Sequence, residues 1–354
     1  MARLSRLAWA VAAVVLGLGV LAAGLEVMGY DAAPALGALW SGAFGSWYAF
    51  SSTTLVRAVP LVLIGLGIAI AFRGGALNIG AEGQFYAGAI AATWVALHTA
   101  ARPATVAIAA VLLAAALAGV LWVALPVWLK LRFGVIEVIS TLLLVFVAEL
   151  LVSLLVQGPL QERGHIYPQS DAIPDSARLP LIAGTRLHAG FPLALALGAI
   201  LWFVFSRTWW GFKLRAVGLG PRASEVSGRI DSQRVGAAAL LLSGAMAGLA
   251  GGVEVSGVSY ALYPNLSPGY GFTAIAVALL AGLHPAGVVI TGILFGALEA
   301  GAGAMQRDAG VPAIAVYVVE AVIIIVALLA TAPKGGWSGA RVMRRKRPVA
   351  SKAA

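Results

Sequence analysis

The chain has 354 residues, 61% of them hydrophobic and 11% charged, with a mean hydropathy of +0.94, where soluble domains run near half apolar and about a quarter charged. That balance excludes a soluble globular protein, and the absence of Cys excludes disulfides, Cys-ligated zinc, iron–sulfur clusters and thiol nucleophiles. The net charge of +10 leaves nucleic acid as a partner to weigh, so the positions of the basic residues decide.

A membrane-crossing helix needs about 17 to 25 apolar residues, and such runs recur along the chain. They predict an all-α, polytopic integral membrane protein of ten spans. The first, near 7–28, follows Arg3 and Arg6 and is too long for the core of a cleaved signal peptide, so it reads as a retained helix. Spans near 55–72, 76–98, 104–129 and 135–157 complete a first set of five. A polar, Pro-containing loop at 158–189 leads to a second set near 190–206, 235–259, 268–283, 286–304 and 312–331. The eighth span is the shortest. Ser267 and Pro268 suit its N-cap and first helical position, and Gly282, His284, Pro285 and Gly287 break it from the ninth.

Ten crossings put both termini on the cytoplasmic side, together with 18 of the 24 Lys and Arg residues, which satisfies the positive-inside rule. The loop at 158–189 is then extracytoplasmic, and 207–234 and the basic tail at 334–354 are cytoplasmic. The RVMRRKRP run in that tail reads as a topology anchor touching anionic membrane lipid, not as a nucleic-acid site.

Six acidic residues fall within or at the ends of spans: Glu82, Glu137, Glu149, Glu254, Glu299 and Glu320. A carboxylate in hydrocarbon is costly, so each must face another helix, a cavity or an interface. Gly244, Gly248, Gly252 and Ser256 recur every four residues and make a smooth stripe for close helix packing, as do Gly83, Ala87 and Ala91 on the third span. No phosphate-binding GxxxxGK[ST], HExxH or GxSxG motif is present, and His98, His165, His188 and His284 are scattered. The sequence therefore offers no catalytic residue and no metal site, which leaves transport as the natural class.

The segment at 207–234 is far longer than a minimal connection. Gly220 and Pro221 suit a helix start, with Glu225 near its positive end and Ala223, Val226 and Ile230 along an apolar edge.

Several segments together resemble the permease subunit of ATP-binding-cassette importers of the simple-sugar and nucleoside branch. They are FRGGALNIGAEGQFYAGA (72–89), FGVIEVISTLLL (133–144), GFKLRAVGLGPRASEVSGRI (211–230), LSGAMAGLAGGVEVSG and GYGFTAIAVALLAGLHPAGVVI. The resemblance spans about residues 55–330. Ribose-type relatives look like DLSVG at the first motif and branched-chain amino-acid permeases like LNLAHG, whereas this chain has NIGAEGQ at 78–84. It departs from the pattern at Val145 and Phe146, where an Asn followed by an aromatic residue is more usual.

The resemblance implies a single permease domain over 1–354 in a prokaryotic inner membrane. It implies a second permease, two cytoplasmic ATPases that bind the ATP, and an extracytoplasmic solute-binding protein or lipoprotein, with no cofactor on this chain. It makes Gly211, Arg215, Gly218, Arg222, Glu225, Gly228 and Ile230 the candidate ATPase-coupling residues. Candidate substrate-pathway residues are Asn78, Glu82, Gln84, Phe85, Phe146 and Phe272: Asn78 and Glu82 stand four apart, as on one helix face, and the aromatic rings offer stacking surfaces. The competing readings are a proton- or cation-coupled secondary transporter using Glu82, Glu254 or Glu299, a branched-chain amino-acid permease, and a non-transporting scaffold.

Overall fold

The computed structural model describes residues 2–228 and 230–312, with 317 and 321; Arg229, the body of the tenth predicted span with Glu320, and the basic tail lie outside the described residues. Among the described residues every regular element is helical, apart from one antiparallel bridge between Leu181 and His188. In chain order these are α1 Ala2–Val27, α2 Ala32–Phe44, α3 Trp47–Ala49, a π-turn Phe50–Thr54, α4 Leu55–Arg73, α5 Ala81–His98, α6 Ala104–Phe133 and α7 Glu137–Val156. After the loop come α8 Gly190–Arg207, α9 Trp209–Leu219, α10 Pro221–Gly228, α11 Ser232–Glu254 with a second π-turn Val255–Ser259, α12 Tyr270–Leu280 and α13 Pro285–Asp308.

Among the described residues, six helical rods are long and apolar enough to cross a membrane: Trp47–Arg73, Ala104–Phe133, Glu137–Val156, Gly190–Arg207, Ser232–Ser259 and Pro285–Asp308. Four features differ from the sequence expectation. An extra helix, α2, lies before the second span and packs on α13, where Gly42 and Gly301 allow backbone approach to Ala300 and Leu39. The third span starts at Ala81, not 76, because Gly74 and Gly75 (φ 73°) end α4 and the Asn78 side chain bonds the Gly80 N–H, holding the chain in a turn. The connection at 207–234 carries two helices, α9 and α10, in place of one. And α12 has only 11 residues, about 16 Å of helix, half the thickness of a hydrocarbon core.

That shortening has a local cause. Ser267 Oγ accepts from the N–H groups of Gly269 and Tyr270 at 3.1 and 2.9 Å, so the capping side chain is the expected one, but Gly269 (φ 101°) delays the helix to Tyr270. Gly282 and Leu283, both left-handed, then turn the chain into α13.

The core is the crossing of α5, α6 and α11. An added Cβ would lie 2.1 Å from the Gly248 carbonyl at Gly88, 2.1 Å from the Gly244 carbonyl at Gly119, and 2.0 Å from the Phe85 carbonyl at Gly251. The predicted Gly244–Gly248–Gly252 stripe meets α6 at Ala115 and Gly119. Its contact on α5 is Gly88, whereas Gly83 of the other predicted row faces Leu144 and Val145 of α7. In a bilayer such backbone proximity supplies the dispersion contacts that hydrophobic burial supplies in water.

The bundle has two unlike ends. The loop end carries 158–189, tied down by Ser170 N–H to Leu262 O, Ile173 N–H to Tyr260 O and Leu179 N–H to Ser256 O, each 2.8 Å. At the basic end lie Arg73, the Lys130–Glu137 ion pair (2.7 Å), α9 and α10.

Candidate functional site

Both π-turns border one cavity at the loop end. In the first, Ser51 Oγ donates to Trp47 O at 2.7 Å and Thr53 Oγ1 to Ala49 O, four residues back. Such back-bonding competes with the helical ladder and widens the turn. In the second, Gly257 lies under the His188 ring and Tyr260 ends the helix in a left-handed conformation, φ 56°. The chain then runs without helix from Tyr260 to Gly269, and non-helical backbone within a bundle is tolerated where it lines a cavity. Wide turns of this kind gather at functional sites.

The cavity is about 600 Å³, within the range of small-molecule sites. Ser52, Thr53 and Arg57 line it from α4 and its π-turn, Glu254 from α11, and Tyr260, Tyr263, Asn265 and Tyr270 from the broken stretch, with Arg186 from the loop. Arg57 reaches Glu299 of α13 at 3.5 Å. The loop also holds one wall in place: the Arg178 guanidinium lies 4.7 Å over the Tyr260 ring and is itself paired to Asp175 at 2.7 Å. The arrangement sets aromatic faces beside hydrogen-bonding and charged groups, chemistry that suits a flat polar ring or a polyhydroxylated ligand.

Asn265 also lines a second cavity of about 310 Å³, with Tyr86, Phe146 and Glu149. One non-helical segment thus stands between two openings.

The sequence-predicted pathway residues are not gathered here. Asn78 precedes α5, so it does not share a helix face with Glu82. Its amide donates to Gln84 Oε1 (2.8 Å) and Ser243 Oγ (2.9 Å) and accepts from Gln84 Nε2 (2.9 Å), all fully buried. Glu82 accepts from the Gly271 N–H at the start of α12. Phe85 is wholly buried against Tyr86 and Tyr270. Phe146 reaches the smaller cavity, and Phe272, exposed, lines neither.

The remaining intramembrane acids divide likewise. Glu254 lines the large cavity, Glu149 the small one, Glu137 pairs with Lys130 and Glu299 with Arg57. Sequence reasoning passed over Tyr260, Tyr263, Asn265 and Tyr270. Their signal was there: three Tyr and two Pro within YALYPNLSPGY, between two apolar runs.

At the basic end, the predicted coupling residues separate by exposure. Gly211 lies against the Phe205 backbone and Gly218 against the Arg73 carbonyl, holding α9 to α8 and α4. Ile230 is buried and follows α10 instead of extending its apolar edge. Arg222 and Glu225 of α10 face outward beside Val226, which is 87% exposed, and Glu225 accepts from Ser232 Oγ. Arg215 faces a separate cavity near Arg73, and Gly228 closes α10.

A family model described as "Branched-chain amino acid transport system / permease component" matches residues 50–328. A guanosine ABC transporter permease protein of Bacillus subtilis is 38% identical over 332 residues, 91% of this chain and 93% of the relative. A glucose ABC transporter permease protein of Haloferax volcanii is 35% identical over 323 residues, covering 88% and 84%. A nucleoside ABC transporter permease protein of Lactococcus lactis is 33% identical over 283 residues, 77% of each chain. No solved structure matches.

Proposed function

The chain belongs to the permease family of branched-chain amino acid transport systems, and we propose that it is the membrane permease of an ATP-driven importer whose cargo is a nucleoside or a simple sugar. A permease of this family is a transport subunit, and ATP is hydrolysed on partner subunits. The observation that carries the cargo reading is the loop-end cavity: tyrosine rings on a broken helix beside Arg57, Glu254 and Asn265. The names of the relatives, one guanosine, one nucleoside and one glucose permease, point the same way.

In this reading residues 1–354 form one permease domain with about ten crossings and cytoplasmic termini. The loop end faces outward to a solute-binding protein or lipoprotein, and a second permease completes the pathway. Two ATPases grip the segment from Gly211 to Ile230. Arg222 and Glu225 of α10 make the contact, and Gly211 and Gly218 pass the motion of α9 to α8 and α4. Asn78 and Gln84 tie the turn before α5 to Ser243 of α11, Glu82 holds the start of α12, Phe85 packs on Tyr270 of the cavity wall, and Phe146 lines the second opening.

Uptake by the reconstituted complex of labelled guanosine and of labelled glucose tests the function. Uptake of at least one that follows ATP and survives a proton uncoupler is expected; uptake abolished by the uncoupler makes the chain a proton-coupled transporter. Sidedness is checked with an impermeant thiol reagent on intact cells. Ser170 and Ser224, natural first probes, are buried, so Ile166→Cys and Val226→Cys, at residues 74% and 87% exposed, replace them. Labelling at 166 and protection at 226 is the expected pattern.

A further inference from the structure

The basic end holds a cavity that the transport site does not use. It is about 430 Å³ and lies between α4, α8, α9 and the turn into α13. Its charged groups are Arg73 and Arg215, with Ser206 and His284 beside them and Trp202 and Phe205 forming apolar wall. The two guanidinium charges repel each other. Neither takes part in an ion pair with a carboxylate among the described residues, and Arg73 lies instead 4.7 Å over the Phe205 ring. Two cations held around one cavity without a counter-charge are unfavourable until an anion sits between them.

The surroundings say where that anion comes from. Trp202 is exposed on α8, whose Ile200 and Phe203 are exposed beside it, and the belt continues onto α9 through the stacked pair Trp209 and Phe212, centroids 4.9 Å apart. Tryptophans and cations together at the end of a spanning helix mark the depth of lipid headgroups. The exposed Arg222 and Glu225 of α10 lie at the same end but outside the cavity. We infer that the cavity binds the phosphodiester headgroup of an anionic phospholipid, clamped by Arg73 and Arg215, with the acyl chains lying along α8. Because α9 carries Arg215 and is wedged on α4 through Gly218, a bound lipid stiffens the joint that leads to α10. The inference rests on the chain being a membrane permease and is independent of the cargo.

The test is native mass spectrometry of the purified importer complex offered phosphatidylglycerol or phosphatidylcholine. Selective retention of phosphatidylglycerol is expected. Arg73→Gln or Arg215→Gln weakens it roughly fivefold each, and the pair about 25-fold, the scale for a basic residue at an anionic surface. Equal retention of both lipids, or unchanged retention in the double variant, overturns the proposal. Displacement of the lipid by equimolar inorganic phosphate overturns it in favour of a free-anion site. Loss of the ATPases from the double variant with lipid still bound overturns it in favour of a protein contact. Should the double variant not assemble, Arg215→Gln alone decides, since its side chain is exposed. Guanosine and glucose uptake by the unaltered complex reports on the cargo reading separately.

Discussion

At the crossing of α5, α6 and α11 the helices touch backbone to backbone, whereas the same α11 two turns further on widens into a π-turn and then loses its helix for ten residues. The seam around Gly248 is built by removing side chains: Gly88, Gly119, Gly248 and Gly251 each lie against a backbone carbonyl, which cannot move aside as a side chain can. The stretch from Glu254 to Tyr270 is built by keeping polar side chains and giving up the helical ladder. Its backbone is held instead by the loop at 158–189 and by Ser267. Rigidity and chemistry are thus placed on one helix, in adjoining parts. The seam fixes where the cavity stands, and the break supplies what lines it.

The largest expected effect breaks the seam. A Cβ on Gly248 meets the Ala115 carbonyl at 2.3 Å and the Gly119 Cα at 2.8 Å, and backbone on both sides leaves no rotamer to adjust. Gly248→Leu should cost at least the roughly 1 to 3 kcal/mol typical of overpacking and remove most assembled complex. Gly198→Ala meets only side-chain ends, Val289 at 3.2 Å and Leu66 at 3.8 Å, and should assemble near normally. Equal yields of the two variants, measured in the same membranes, would show that the seam is not the organising contact.

The next effect concerns what holds the break. His188 is buried under Gly257; its Nδ1 accepts from the Gly190 N–H and its Nε2 has no partner among the described residues. Burial pushes the imidazole down to about 4, against about 6.5 in the unfolded chain. Between those values the unfolded state binds more protons, so stability is full above about pH 6.5 and is lost as pH falls toward 4. A shift of this size corresponds to roughly 3 kcal/mol. Hydrogen exchange in 158–189 should accelerate over that window in the native protein and much less in His188→Gln. Identical pH profiles would remove His188 from the loop's anchorage.

Legibility followed chemistry that repeats. Helical class, the positions of most spans and the α11 glycine stripe are written in hydropathy and four-residue spacing, and the start of α10 in Pro221. The breaks are not, because they depend on tertiary partners. Ser51 and Thr53 bend their helix through i−4 bonds that a linear pattern scores as ordinary polar residues. Tyr260 turns left-handed at the end of a helix packed on His188, 72 positions upstream. The polar segment shows the same dependence: NIGAEGQ stands out as polar residues among apolar ones, yet Asn78 and Gln84 bond each other, Asn78 bonds Ser243, and Glu82 accepts from the Gly271 N–H. Tyr263 and Asn265, in a stretch that reads as a connection, face open space.

That contrast gives a middle-sized prediction. Asn78→Ala leaves Gln84 and Ser243 buried with lost partners, a cost of roughly 1 to 3 kcal/mol. Gln84→Ala should cost a similar amount, and the double variant less than the sum, since the two side chains bond each other. Complex yield and transport should fall together. Loss of transport at full yield and full thermal stability would move Asn78 into the pathway.

The smallest effect on stability is expected where the effect on function is most specific. Tyr263 and Asn265 are exposed to the cavity, so trimming them uncovers no buried partner. Tyr263→Ala and Asn265→Ala should leave yield and thermal stability near those of the unaltered complex. Loss of a ring that stacks on cargo, or of one neutral hydrogen bond, is worth about 1 to 1.5 kcal/mol, or roughly tenfold in affinity. The KM for uptake should rise by that factor while basal ATP hydrolysis stays unchanged. The two variants also separate the roles of the two faces of the cavity. Tyr263→Phe keeps the ring and should restore uptake if stacking is the interaction, whereas Asn265→Asp keeps the shape but replaces the amide donor with a carboxylate near Glu254. If both alanine variants take up guanosine and glucose with unaltered KM, the cavity is structural and the break in α11 serves something other than cargo. If Tyr263→Ala alone is impaired and Tyr263→Phe recovers, the cargo contributes a flat face and the cavity reads a ring.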